Sequence, residues 1–241
     1  MRSDIYLMFR LKWLKLSMLF MLLAASALVA MQKLAMDYVV KIDRVLFLPL
    51  VMYGIAVAAL ISMTSGSDFD EGFIRNKLFA GQSRRQIYLA HEVANLVGAI
   101  VLYCITVLFT LVISIKMFEI NVSIQTLAVY FFLGLFTCVA YSCIFHMIAM
   151  LAGRPFLSSA ICLILAVLML LLSIYTNSAL VQGNEPNAFH LFLYDLNPTG
   201  QIAQLSSMQV LNPLRSITLD VLWVLITHAI GLSLFGKKAF Q

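Results

Sequence analysis

The chain has 241 residues, of which 62% are hydrophobic and only 11% charged, with a mean hydropathy of +0.97. A soluble domain of this length needs a polar shell that so few polar residues cannot supply, so the composition excludes one and defines an integral membrane protein. The net charge of +5 is therefore read by membrane side, and nucleic acid is set aside as a partner.

Windows of about 20 apolar residues, enough to cross roughly 30 Å of hydrocarbon, occur six times: Leu16–Met31, Val45–Met63, Val93–Ile115, Ile124–Leu151, Phe156–Tyr175 and Ile217–Phe235. The expected fold is all-α, a single domain of six transmembrane helices. Ahead of the first window, "MRSDIYLMFRLKWLKLSM" places Ile5, Met8, Phe9 and Trp13 near one helical stripe and Arg10 and Lys12 on another. Residues 1–15 read either as an interfacial helix, with Trp13 at headgroup depth and Lys15 snorkelling, or as a basic flank that enforces topology. The first window contains "ASALVA", which has the look of a cleavage site; the expectation is a retained first span.

Arg2, Arg10, Lys12, Lys15, Arg75, Lys77, Arg84, Arg85, Arg154, Lys237 and Lys238 fall on one side of the six spans. Lys33, Lys41, Arg44, Lys116 and Arg215 fall on the other. About twice as many positive residues lie on the first side, which is expected to be cytoplasmic and to hold both termini.

Residues 65–92, between the second and third windows, are unusually charged. Asp68 and Glu71 have the spacing of an N-cap and its N3 partner, predicting a short helix with apolar Phe73, Ile74 and Leu78 on one face and Gly81 as its left-handed terminator. Ser83 and Gln86 form a second capping box, opening a helix that runs into the third span. A plain connector needs only a handful of residues. The first helix therefore reads either as a docking element for a cytoplasmic partner or as an amphipathic helix lying on the headgroups.

The run "EGFIRNKLFAGQSRRQIYLA" resembles the first cytoplasmic loop of the small six-span permease subunits of bacterial ABC exporters, of the bacteriocin, lantibiotic-immunity or multidrug type. The resemblance extends to the topology of the whole chain. It implies that Glu71, Arg75, Asn76 and Lys77 are contacts of a coupling helix ending at Gly81, and that separate ABC ATPase subunits dock there. It also implies a second permease subunit, identical or related. ATP and Mg2+ would be held by the ATPase and no cofactor by this chain.

Residues 176–216 form the longest segment on the opposite side. Its apolar clusters are too short to cross a membrane, so it is expected to be interfacial or re-entrant. Asn197 and Pro198 are predicted to open a helix that carries Ile202, Leu205 and Met208 on one side and ends at Asn212 and Pro213. The resemblance implies a pair of short re-entrant helices closing the outer mouth of a path, with Asn197, Pro198 and Gly200 in that gate.

Other chemistry is thin. "HEVAN" at His91–Asn95 begins like a zinc-protease motif but has Asn95 where the second histidine belongs. "GLSLFG" leaves Ser233 without a complete nucleophile elbow. The cysteines, Cys104, Cys138, Cys143 and Cys162, fall in apolar runs without metal-ligand spacing and are read as packing residues. Ser142 and His146, four apart, are expected to make interhelical hydrogen bonds. No G-x-x-x-x-G-K-S/T loop occurs, so phosphates cannot be cradled in that way. The spans are expected to lack the intramembrane Asp, Glu, Lys or Arg of an ion relay. The expected function is export of a hydrophobic or amphipathic substrate, by resemblance an antimicrobial peptide, with no enzymatic activity of the chain's own; the alternative is a regulatory or sensor subunit binding a cytoplasmic protein through the 68–92 loop.

Overall fold

A computed structural model describes residues 12–35, 39–182 and 187–237, apart from the side chain of Gln182. Six of its helices are long and apolar enough to cross a membrane. The first, α1 (Lys12–Ala35), is followed by two 3-10 turns, Ile42–Arg44 and Leu48–Met52, the second carrying Pro49 near its start. These lead into α2 (Tyr53–Asp70), a short α3 (Phe73–Phe79), and α4 (Arg84–Met117). Then come α5 (Ile124–Ala152), α6 (Pro155–Gln182), two short helices α7 (Ala188–Leu196) and α8 (Pro198–Ser206), and finally α9 (Pro213–Lys237). The order of windows matches the sequence expectation, and the multi-pass membrane class follows from it.

Lys12 to Lys15 are helical and continuous with the span. Residues 1–11 of the expected interfacial segment lie outside the described part. Trp13 packs partly buried against the main core, with the Lys12 ammonium 5.1 Å from its ring, while Lys15 is exposed.

Burial separates a central helix from peripheral ones. In α2, with the turns before it, 72% of the most apolar window is buried, against 22% in α9. Apolar side chains gain nothing from leaving lipid for protein, so the bundle relies on close packing and satisfied polar groups. Around α2 this packing is aromatic. Tyr53 donates to the Ala99 carbonyl at 2.8 Å, and its ring meets Tyr103 and Tyr141 edge-on at 6.1 and 6.2 Å between centroids. Small residues make room: Gly54 lies against the Tyr141 ring, and Gly134 against Tyr103. Tyr103 in turn donates to the Phe131 carbonyl at 2.8 Å. Helices α7 and α8 fold back against this core, with Ile202 and Leu205 of α8 inside the main apolar cluster.

Candidate functional site

The charged insert starts differently from its sequence reading. Helix α2 does not stop before Asp68; it continues to Asp70, so Asp68 caps nothing and Glu71 is the C-cap of α2. Extending an existing helix adds a hydrogen bond per residue fixed, whereas a new nucleus is costly, so the capping spacing loses to propagation. Gly72 stops the helix by adopting φ +72, and its N–H bonds the Phe69 carbonyl at 3.2 Å. The same glycine is the N-cap of α3, which therefore starts at Phe73 and has seven residues.

The far end of α3 agrees with the sequence reading. Gly81 is left-handed at φ +83; its N–H reaches the Leu78 carbonyl and the Gln82 N–H reaches Lys77, the two bonds of a Schellman turn. Ser83 and Gln86 make the reciprocal capping box that opens α4.

Two attachments hold α3 to the bundle. The first is Ile74, 1% exposed, which sits in a small apolar cluster with Ile87 and Tyr88 of α4, Met150 of α5 and Phe235 of α9. The second is polar. The Lys77 ammonium lies 3.2 Å from His91 Nε2, and His91 Nδ1 lies 3.2 Å from an Asp68 carboxylate oxygen. A neutral imidazole with its proton on Nδ1 satisfies both contacts, accepting from Lys77 and donating to Asp68. Glu71, Arg75 and Asn76 face outward and are exposed, whereas Lys77 is half-buried by its contact with His91. Gly81 stands in open space.

The polar residues of "HEVAN" thus serve four neighbouring helices, α2, α3, α5 and α9. His91 joins α4 to α3 and to the end of α2. Glu92 meets His228 Nδ1 of α9 at 2.9 Å. Asn95 donates to Ser65 Oγ of α2 at 3.1 Å and lies 2.9 Å from His146 Nδ1 of α5, while its carbonyl accepts from Thr64. His146 therefore does bond across helices, although its partner is Asn95; the ring of Tyr88 also packs 4.6 Å from it. Ser142 is buried as well. Sequence reasoning treated "HEVAN" as a failed metal motif and missed its part in joining α4 to four other helices. The available signal was its placement about two turns inside the capped start of a span.

The opposite end is built from α7, α8 and the start of α9. Asn197 caps α8 by accepting from the Thr199 N–H at 3.1 Å, and its amide donates to the Met169 carbonyl of α6 at 2.7 Å. Pro198 is the first residue of α8, and Gly200 lies so close to Tyr194 that a Cβ would strike its carbonyl oxygen. Asp195 is 2% exposed and accepts from Gln204 at 2.8 Å and from Arg215 at 3.3 Å. Burial first, and the neighbouring Asp195 charge second, push the Tyr194 phenol up to about 12, so it remains a neutral hydroxyl. Helix α8 ends earlier than expected, at Ser206, because Met208 takes a left-handed conformation at φ 50. Asn212 instead caps the last span, its side chain accepting from the Arg215 N–H at 3.1 Å.

Asp220 corrects the expectation that the spans carry no intramembrane carboxylate. It lies in α9, is 1% exposed, and accepts from the Thr137 hydroxyl of α5 at 3.1 Å. Thr137 also lies 3.1 Å from the Gln201 carbonyl oxygen of α8, so one hydroxyl stands where α5, α8 and α9 meet. The window reading passed over a single acid among apolar neighbours, and Thr137, the hydroxyl that donates to it, is 83 residues distant in sequence.

Compared with known proteins, the chain matches no family model and no curated protein.

Proposed function

We propose that this chain is the membrane-spanning permease subunit of an ATP-driven ABC exporter, with the charged insert on the cytoplasmic side and α3 as its coupling helix. The observation that carries the reading is the mounting of α3. It is a short helix between two left-handed glycines, with Arg75, Asn76 and Phe79 turned outward and Glu71 exposed just before it, and its buried Ile74 sits in a cluster shared by α4, α5 and α9. A partner gripping the outer face moves three spans at once.

Two such chains, identical or related, enclose the path, and two separate ATPase subunits bearing ATP and Mg2+ dock beneath them. Nucleotide binding draws the ATPases together, α3 is displaced, and the spans change between inward and outward openings. The α7–α8 pair serves as the outer gate, with Asn197, Pro198 and Gly200 fixing its turn. The substrate is hydrophobic or amphipathic, an antimicrobial peptide being the best candidate.

The test is co-purification from the native membrane in mild detergent. An ATPase subunit is expected to accompany the chain, to be lost on Glu71→Arg with Arg75→Glu, and to hydrolyse ATP faster when substrate is added. Recovery without any ATPase overturns the reading. ATPase recovery without stimulation by any amphipathic peptide or lipid-like compound favours a regulatory subunit instead.

A further inference from the structure

At the foot of the bundle on the insert side, the first turn of α4 and the last turn of α9 enclose a recess of about 520 Å3 lined by Arg84, Arg85, Lys237, Leu232, Ser233 and Gly236. It gathers three cations, and none of the described residues lining it is acidic. Arg84 spans the recess, donating from Nη1 to the Gly236 carbonyl at 3.0 Å. That contact explains why Arg84 is there. It does not explain Arg85 and Lys237, both exposed and both lining the same cavity, because like charges around one recess repel one another unless an anion sits among them.

The recess has an apolar wall on its membrane side. Leu232 lines it directly. Leu89 lies one helical turn beyond Arg85 on the same face of α4 and is 39% exposed, and Leu234 of α9 is 48% exposed. Cations at the level where two spans end, with exposed leucines running from them toward the bilayer centre, match a molecule that is anionic at one end and apolar along the rest. Cationic recesses between spans at headgroup level recognise such lipids.

We infer that this recess binds the phosphate headgroup of an anionic phospholipid, with Arg85 and Lys237 as its charge contacts, Arg84 as the bridging donor, and Leu89 and Leu232 along the acyl chain. The apolar wall selects a membrane lipid over a soluble phosphate. The inference needs only that α4 and α9 end at headgroup level and does not depend on the exporter reading.

The experiment uses the full chain in detergent micelles with added phosphatidylglycerol or phosphatidylcholine, reading retained lipid by native mass spectrometry and unfolding by thermal shift. Phosphatidylglycerol should be retained about tenfold more than phosphatidylcholine, two cations at the headgroup surface being sufficient for that preference, and should raise Tm. Arg85→Gln with Lys237→Gln should bring the preference to within about twofold. Arg85→Lys should preserve it, and Arg154→Gln, a basic residue in the turn between α5 and α6, should leave it unchanged. Equal retention of the two lipids by the unaltered chain overturns the proposal, as does equal stabilisation by inorganic phosphate alone. If the double variant keeps its lipid preference and loses a co-purifying protein, these cations belong to a protein interface and the proposal is wrong.

Discussion

The Schellman turn that ends α3 and the one that ends α8 have the same pair of backbone bonds and different residues at the left-handed position. At the insert end Gly81 holds φ +83 with nothing near its missing side chain. At the opposite end Met208 holds φ 50, a conformation that costs a side-chain-bearing residue about 1–2 kcal/mol. Tyr130 donates to the Met208 carbonyl and the Met208 side chain packs against the main core, so the surroundings impose what the residue alone disfavours. The insert end is shaped by local backbone preference and left accessible. The opposite end is shaped by tertiary contacts and closed on itself, with Asp195, Asn197, Gln201 and Gln204 all buried and hydrogen-bonded within it.

Substitutions at four positions test that difference, and they should differ in size. Gly200→Val drives a branched side chain into the Tyr194 backbone and should cost about 3 kcal/mol, seen as loss of the monodisperse protein in size-exclusion chromatography. If it is tolerated, the opposite end is looser than its contacts imply. Ile74→Ala removes the apolar anchor of α3 and should cost about 2 kcal/mol, confined to the insert; hydrogen exchange should accelerate over 73–79 and stay unchanged over 198–206. Acceleration of both segments would mean that the two ends are not separable. Gly81→Val should cost about 1.5 kcal/mol through backbone strain, measured by thermal shift, whereas Gly81→Asn should be milder because asparagine enters the left-handed region more readily. Phe79→Ser should leave thermal stability within about 0.5 kcal/mol of the parent, since the ring is 82% exposed. If α3 is a docking helix, the same change should weaken capture of the ATPase.

The order of the elements was legible in the sequence because a membrane span announces itself by length and apolarity, which are local. Caps were legible where local geometry decides them, as at Ser83 with Gln86 and at Asn197 with Pro198. The start of α3 was not, because the Asp68 and Glu71 pattern says nothing about whether an upstream helix has already arrived. Asp68 spends its carboxylate on His91, 23 positions later in the chain, and no window reading holds both residues. The same limit hid Asp220 and the junction at His91, Glu92 and Asn95, whose partners lie on other spans. Phe79 was overlooked for the opposite reason: in a chain this apolar, an exposed phenylalanine is indistinguishable by type from a buried one.

Helix α4 runs unbroken from the capping box at Ser83 to Met117, 34 residues, or about 50 Å at the α-helical rise, well beyond the roughly 30 Å of hydrocarbon it has to cross. A rod of that length pivoting at its far end multiplies small angles. A tilt of about 5° displaces the near end by ~4 Å over that length, close to the width of one helical turn, and it does so without breaking a backbone hydrogen bond. A push on the insert therefore need not melt or remake any secondary structure to be felt across the membrane; it has only to lean on a stiff beam.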